Sequence, residues 1–368
     1  MRIDPSVFRD RRKAIVERLS RERGLDGLLA EKPSDIRYLT GFSCSKGALF
    51  LVGQRCYLLV DGRYAEQAEK ELQDIEVIRV QKNFRHAFSL LSRDLDGARI
   101  AYDRLYTTVA TMDELRAALK KKVSWVGVDD PVCRQRMIKI PQEIRSIKKA
   151  VRVAQDAFLH VIEDIVSRRP SEKRVATMLM SSMVQLGSEG FPFPVIVASG
   201  RRSSMVHTEP ADKRIAGLLL MDWGAVVDGY CSDITRTLAV GKVPTRLKNV
   251  HALVLEARQA ALEEIRIGKP VGALDEAARR VMNKAGYAEY FTHGLGHGVG
   301  MEVHECPVVG PGREEPLAPG MVFTVEPGIY LPGVGGVRVE DMVLVKENGY
   351  ELLTTIPRDL DPEVYIPG

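Results

Sequence analysis

The clearest hydrophobic pattern in the chain lies over residues 218–240, LLLMDWGAVVDGYCSDITRTLAV. An apolar run is followed by a polar turn and a second run. This predicts two strands joined at Asp228-Gly229, the dipeptide most typical of a type I′ hairpin. With those two residues as the loop, Asp233 falls opposite Gly224, and Asp222 lies two residues from Gly224 on the same strand. Side chains alternate along a strand, so Asp222 and Asp233 share one face of the ribbon. As diagonal neighbours their Cβ atoms are roughly 7–8 Å apart. Two carboxylates on a buried ribbon repel unless something positive sits between them. The pattern calls for bound metal, or for Arg236 or Arg338 as a partner to either acid.

The remaining pattern predicts two domains. Residues 5–23 are helix-patterned, with Val7, Ile15 and Leu19 among the apolar positions. Strand-like runs follow at 27–30, 48–52, 56–60, 76–80 and 98–101, with helical patterns at 64–72 and 87–95. The alternation suggests a first α/β domain of roughly 130 residues. Residues 34–42, SDIRYLTGF, read as a loop entering a turn at Gly41. Pro131 and Pro141 bracket a transition, which puts the domain boundary near residue 135. From Gln142 a long helical period places Ile144, Ile147, Val151, Ala154, Phe158 and Ile162 among its apolar positions. Ser171 and Glu172 start another helix that ends near Gly187, and PVIVASG then reads as a strand. Helices are expected over 245–266 and 274–285, and the last part is glycine-rich and strand-like.

Composition narrows the class without naming a chemistry. An apolar fraction of 45% and a charged fraction of 28% are those of a soluble globular protein. A net charge of +4 over 368 residues makes no case for nucleic-acid or membrane partners. No apolar run approaches the ~18–20 residues needed to span a bilayer, and the N-terminus lacks the apolar core of a signal peptide. The five cysteines are scattered and never paired as CxxC. They point to reduced thiols in a cytoplasmic protein and away from a zinc ribbon.

A site with two metals on two aspartates needs further oxygen donors and an imidazole. Three candidates lie downstream. His297 sits in GLGHGVG, where the glycine density excludes a helical HxxxH pair with His293. The glycines read as places where backbone passes close to a ligand. Glu326 follows the apolar strand MVFTV, and Glu340 alternates with Val337 and Val339 in VRVEDMVLV. An acid inside an apolar strand is costly unless paired or metal-bound. Taken singly, each has an ordinary alternative: a solvated glutamate, or a turn histidine.

The order Asp222, Asp233, His297, Glu326, Glu340, within the words DWGA, DGYCSDITRT, HGLGHGVGMEVHE, TVEPGIY and GVRVED, resembles the metallopeptidase family of methionine aminopeptidase, aminopeptidase P and prolidase. SDIRYLTGF and LVDGRYAEQA are similar to the creatinase-type N-terminal domain, although Asp35 stands where that family usually has Asn. The resemblance implies an α+β protein: a creatinase-type α/β N-terminal domain (1–135) followed by a pita-bread catalytic domain (136–368). It implies two divalent metals, with manganese expected and cobalt, zinc or iron as alternatives. Asp222 would hold one metal, Asp233 and Glu340 would bridge, and His297 and Glu326 would complete the other. A hydroxide made at the metal pair would attack the Xaa–Pro carbonyl, with Glu326 as proton shuttle. His304 would stabilise the tetrahedral intermediate, His293 and His207 would line the substrate pocket, and Arg338 and Tyr330 would contact substrate or support the ligands. Cys231 shares strand parity with Asp233 and is expected near the metals. The expected activity is release of the residue before proline, leaning to Xaa-Pro aminopeptidase through DGRYAEQA. The alternatives are an Xaa-Pro dipeptidase, a methionine aminopeptidase or a nonenzymatic pita-bread binding module. Small proline-containing peptides are the expected partners, and a homodimer is the expected assembly.

Overall fold

The computed structural model describes residues 3–366. They form two compact units, Met1–Arg136 and Met137–Gly368.

The first unit is built on a six-stranded sheet: β1 (Gly27–Ala30), β2 (Gly47–Val52), β3 (Arg55–Asp61), β4 (Glu76–Val80), β5 (Arg99–Asp103) and β6 (Ser124–Val128), in the order β4-β3-β2-β1-β5-β6. The β1–β2 and β2–β3 pairs are antiparallel and the outer pairs are parallel. The strands read as unbroken apolar runs because helices cover the sheet, with Phe50, Phe88 and Leu115 in the shared core. Residues 34–40 correct the expectation of a loop: Pro33–Thr40 is a helix. Pro33 occupies its first turn, where a missing N–H costs nothing. Gly41, at φ 77°, ends it by donating its N–H to the Arg37 carbonyl.

In the second unit, β8 (Leu218–Trp223) lies between β7 (Ile196–Ser199) and β11 (Ile234–Ala239). The short strands β9 (Val226–Val227) and β10 (Tyr230–Cys231) carry the turn between β8 and β11. A second sheet runs β13-β12-β14-β17-β18, from β12 (Gly296–Gly298), β13 (Glu305–Val309), β14 (Val322–Val325), β17 (Asp341–Lys346) and β18 (Gly349–Leu352). The hairpin β15 (Gly328–Leu331) and β16 (Gly335–Arg338) stands apart from it.

Period-two alternation decides which helices each strand face meets. Leu219, Met221 and Trp223 of β8 pack with Ile147, Val151 and Phe158 of the helix Pro141–Arg168. Trp223 stacks on Phe158 with ring centroids 5.1 Å apart and donates Nε1–H to the Ala154 carbonyl. A second core joins the helices Thr245–Leu262 and Gly272–Lys284 to the other faces of β14 and β17 through Val254, Leu274, Phe323 and Val343. Asp222 belongs to the β8 face that does not meet the helix Pro141–Arg168, and it faces a cavity instead.

Cys44, Cys56 and Cys231 are free thiols. Cys133 and Cys306 do not stand as free thiols, which corrects the expectation of five reduced thiols. Among the described residues no helix is long and apolar enough to cross a membrane.

Candidate metal centre

The turn at Asp228-Gly229 has φ of 51° and 69°, the double left-handed geometry of a type I′ hairpin. It sets the register, with Tyr230 opposite Val227, Ile234 opposite Trp223 and Thr235 opposite Asp222. Asp222, Asp233 and Glu340 each bring a carboxylate oxygen within 4.8 Å of the others. His297, Glu326 and Glu340 do the same, and so do Asp233, His297 and His304. These side chains share one cavity of about 490 Å³, whose wall also includes His207, His293 and Arg338.

Each element delivers its side chain for a local reason. Gly296 and Gly298 are required because β12 is squeezed between its neighbours: a Cβ at Gly296 would lie 2.1 Å from the Thr324 carbonyl, and one at Gly298 2.1 Å from that of Cys306. The glycines thus admit neighbouring backbone rather than a ligand, and that packing aims His297 at the acids. Thr324 ties the two strands together. Its Oγ1 accepts the His297 N–H (3.1 Å) and donates to Glu326 Oε1 (3.2 Å). Arg338 and Glu340 do not lie on one continuous strand as their alternation suggested. β16 ends at Arg338 and β17 begins at Asp341, with Glu340 in the connection. There the Glu340 N–H donates to the Thr235 carbonyl and Thr235 Oγ1 donates to Glu340 Oε2 at 2.7 Å.

A chain of hydrogen bonds backs the site. Arg338 donates Nη2–H to Asp222 Oδ2 (2.6 Å), Nε–H to Thr235 Oγ1 (3.1 Å) and Nη1–H to the Tyr330 hydroxyl (2.9 Å). His293 Nδ1 lies 2.7 Å from the Gly294 carbonyl, which only accepts, so Nδ1 carries the proton. Nε2 then accepts from Tyr330 at 2.9 Å. Burial pushes the Tyr330 hydroxyl up to about 12, which keeps it a donor, and burial lowers His293 so that it stays neutral. Tyr330 is buried and does not line the cavity, which leaves it behind Arg338 and His293, in the supporting one of the two roles expected of it. His293 lines the cavity with its ring, and both its nitrogens are already engaged. Arg236, the other candidate partner for the aspartates, turns away to Asp341 (2.9 Å) on the opposite face of β11. Cys231 packs in the helix-covered core, with its thiol 3.6 Å from the Met301 carbonyl, and does not line the cavity.

Electrostatics divides the acids. Burial raises Asp233 and Glu340 well above the ordinary carboxylate range, and the neighbouring carboxylates add to the rise. Burial also raises Asp222, against the pull of Arg338. Glu326 goes the other way. Burial opposes its charge, but the His297 hydrogen bond and charge, with Arg338, hold it down at about 2. His297 Nε2 is 3.3 Å from Glu326 Oε1 and 3.6 Å from Asp233 Oδ2. His304 stacks edge-on against His297, with centroids 4.2 Å apart, and its pKa is lowered by burial and then by His297. Asp222 Oδ1 and Asp233 Oδ1 are buried without a hydrogen-bond partner among the described residues. Orphaned buried carboxylate oxygens, four acids and one imidazole fit two divalent cations.

Sequence reading missed several supporting residues, Thr235 and Thr324 among them. Thr235 was within reach, because Thr235 and Thr237 of β11 alternate in step with Asp233, the residue just before that strand. Thr324 carried no such signal.

Comparison with known proteins agrees with this chemistry. Residues 145–347 match metallopeptidase family M24, and residues 11–138 match the creatinase/prolidase N-terminal domain. An Xaa-Pro dipeptidase from Pyrococcus horikoshii is 36% identical over 358 residues, 96% of this chain and 99% of that protein. Among solved structures, an Xaa-Pro dipeptidase from Bacillus anthracis superposes with a TM-score of 0.88 at 32% identity, over 97% of this chain and 99% of the other. An X-Pro aminopeptidase from Thermotoga maritima gives 0.82 at 36% identity, over 93% and 99%.

Proposed function

This chain belongs to metallopeptidase family M24, and on that premise we propose that it is a metal-dependent Xaa-Pro dipeptidase. The observation that carries the reading is the convergence of Asp222, Asp233, His297, Glu326 and Glu340 around buried carboxylate oxygens that lack partners. The dipeptidases among its relatives favour dipeptide cleavage over the aminopeptidase activity expected from the sequence. Those five side chains would hold two divalent ions, and the oxygen-rich set suits manganese. When bound, the ions polarise the scissile carbonyl and lower the pKa of a water.

The protein's own groups supply the rest. Glu326, beside the attacking water, accepts its proton. It then returns that proton to the proline nitrogen. This return is required because an imide nitrogen has no hydrogen of its own and leaves poorly without one. His304 is neutral at physiological pH because burial lowers it, and it can donate one N–H to the oxygen that gains charge. His207, exposed on the cavity wall, is placed to meet the peptide from the other side. Arg338 offsets part of the acidic charge through Asp222. The Arg338–Tyr330–His293 chain keeps the proline-facing ring in one tautomer.

The test uses purified protein stripped of metal and reloaded separately with manganese, cobalt or zinc. Ala-Pro should release free proline and Arg-Pro-Pro should remain intact. Release of arginine from Arg-Pro-Pro would assign the aminopeptidase activity of the Thermotoga relative instead. No cleavage of either peptide with any metal would refute the peptidase reading.

A further inference from the structure

The cavity wall includes the apolar side chains of Phe193, Ile196, Val206 and Val308. It continues into a loop, residues 206–210, that is held from behind by a buried acid. Glu172 is fully buried. It accepts from the Ser199 N–H (2.8 Å) and hydroxyl (3.0 Å), from Arg202 Nε (3.0 Å) and from the Ala211 N–H (2.9 Å). Arg202 in turn donates Nη2–H to Thr208 Oγ1 (3.0 Å) and to the Glu209 carbonyl (2.6 Å). The backbone at Glu209 is therefore fixed. Its side chain is exposed on the cavity wall, and its carboxylate has no hydrogen bond or ion pair among the described residues.

The other four carboxylates of the cavity belong to the metal centre. Glu209 is the fifth, and nothing neutralises it. Xaa-Pro dipeptides share an ammonium, a pyrrolidine ring and a C-terminal carboxylate, so only the first side chain varies. A lone carboxylate beside an apolar wall is felt as selection on the charge of that side chain. A long cation satisfies both features, because its methylene stem covers apolar surface while its head reaches outward. We propose that Glu209 is a specificity-determining residue, favouring arginine or lysine before proline and disfavouring aspartate or glutamate. The proposal rests on the peptidase reading above.

The test compares metal-loaded wild type with Glu209→Gln and Glu209→Lys on Arg-Pro, Leu-Pro and Glu-Pro. Glu209→Gln should lower the kcat/KM ratio of Arg-Pro to Leu-Pro by roughly 3-fold, the scale of an exposed ion pair. Glu209→Lys should raise the ratio of Glu-Pro to Leu-Pro, and both effects should shrink at high salt. A loop that merely packs would move all three substrates alike, and constant ratios overturn the proposal. Should wild type cleave none of the three, the peptidase reading fails by itself. Glu209 is then judged by calorimetric binding of free L-arginine, L-leucine and L-glutamate to the metal-loaded protein. A loss of arginine preference in Glu209→Gln supports the proposal, and an unaltered preference overturns it.

Discussion

Thr235→Val is the sharpest test of how the acids of the candidate metal centre are held. Thr235 is fully buried. Its hydroxyl donates to Glu340 Oε2 at 2.7 Å and accepts from Arg338 Nε at 3.1 Å. Valine matches threonine in shape but supplies neither bond. Losing the hydrogen bond to Glu340, whose carboxyl is shifted toward its neutral form in the metal-free site, costs about 0.5–1.5 kcal/mol, and leaving the Arg338 Nε–H unpaired costs about 1–3 kcal/mol more. The added methyl offsets about 0.8 kcal/mol. The net expectation is a loss of about 1–4 kcal/mol in denaturant unfolding of the metal-free protein. Glu340 would also lose its orientation, so manganese affinity in calorimetric titration should fall roughly 10–100-fold, as for other groups that orient a ligand. Thr235→Ser is the control. It keeps the hydroxyl and deletes one methyl, so it should lose about 1 kcal/mol of stability and bind metal much as wild type does. Equal losses of metal affinity in the two variants would refute the hydrogen-bond argument and leave packing as the cause.

Metal uptake should release protons. Asp222, Asp233 and Glu340 are all raised in the metal-free site, by burial first and by neighbouring acids after it, so a cation must displace protons and its affinity should rise with pH. Titrations in two buffers of different ionisation enthalpy should give different heats, and identical heats would count against the assignment. The same raised values mean that folding without metal binds protons. Stability from these three groups is full below the unfolded-state carboxylate range and is lost as pH rises above it, through the raised values. The thermal midpoint of the metal-free protein should fall over that window, while saturating manganese should abolish the fall. Glu172→Gln should cost about 1.5–3 kcal/mol, because the half-buried Arg202 loses its counter-charge and one amide end faces a backbone donor. An unfolding free energy within error of wild type would show that the loop is held some other way.

Much of the centre was legible before any coordinates. A type I′ turn admits one register, and one register puts Asp222 and Asp233 on the same face because strands alternate with period two. The acids Glu326 and Glu340 stood out because a charge among valines needs a reason. Contacts between elements were not legible in the same way. The helix at Pro33–Thr40 was hidden because proline reads as a breaker until its place in the first turn is known. The glycines around His297 pointed to a ligand, yet they answer to the backbones of Thr324 and Cys306. Arg236 and Arg338 looked equivalent as partners for the aspartates. Only the pairing of β8 with β11, and the break between β16 and β17, sends one to Asp341 and the other to Asp222.

The placing of Asp222 and Asp233 on one face was thus set by local rules, since turn chemistry and strand alternation act over a few residues, whereas the five-residue candidate ligand set rested on the family resemblance. Which nitrogen of His293 carries the proton, what Tyr330 touches, and what holds the backbone at Glu209 depend on contacts that packing makes. Such contacts exist only once packing has brought distant strands together, and no local pattern encodes them.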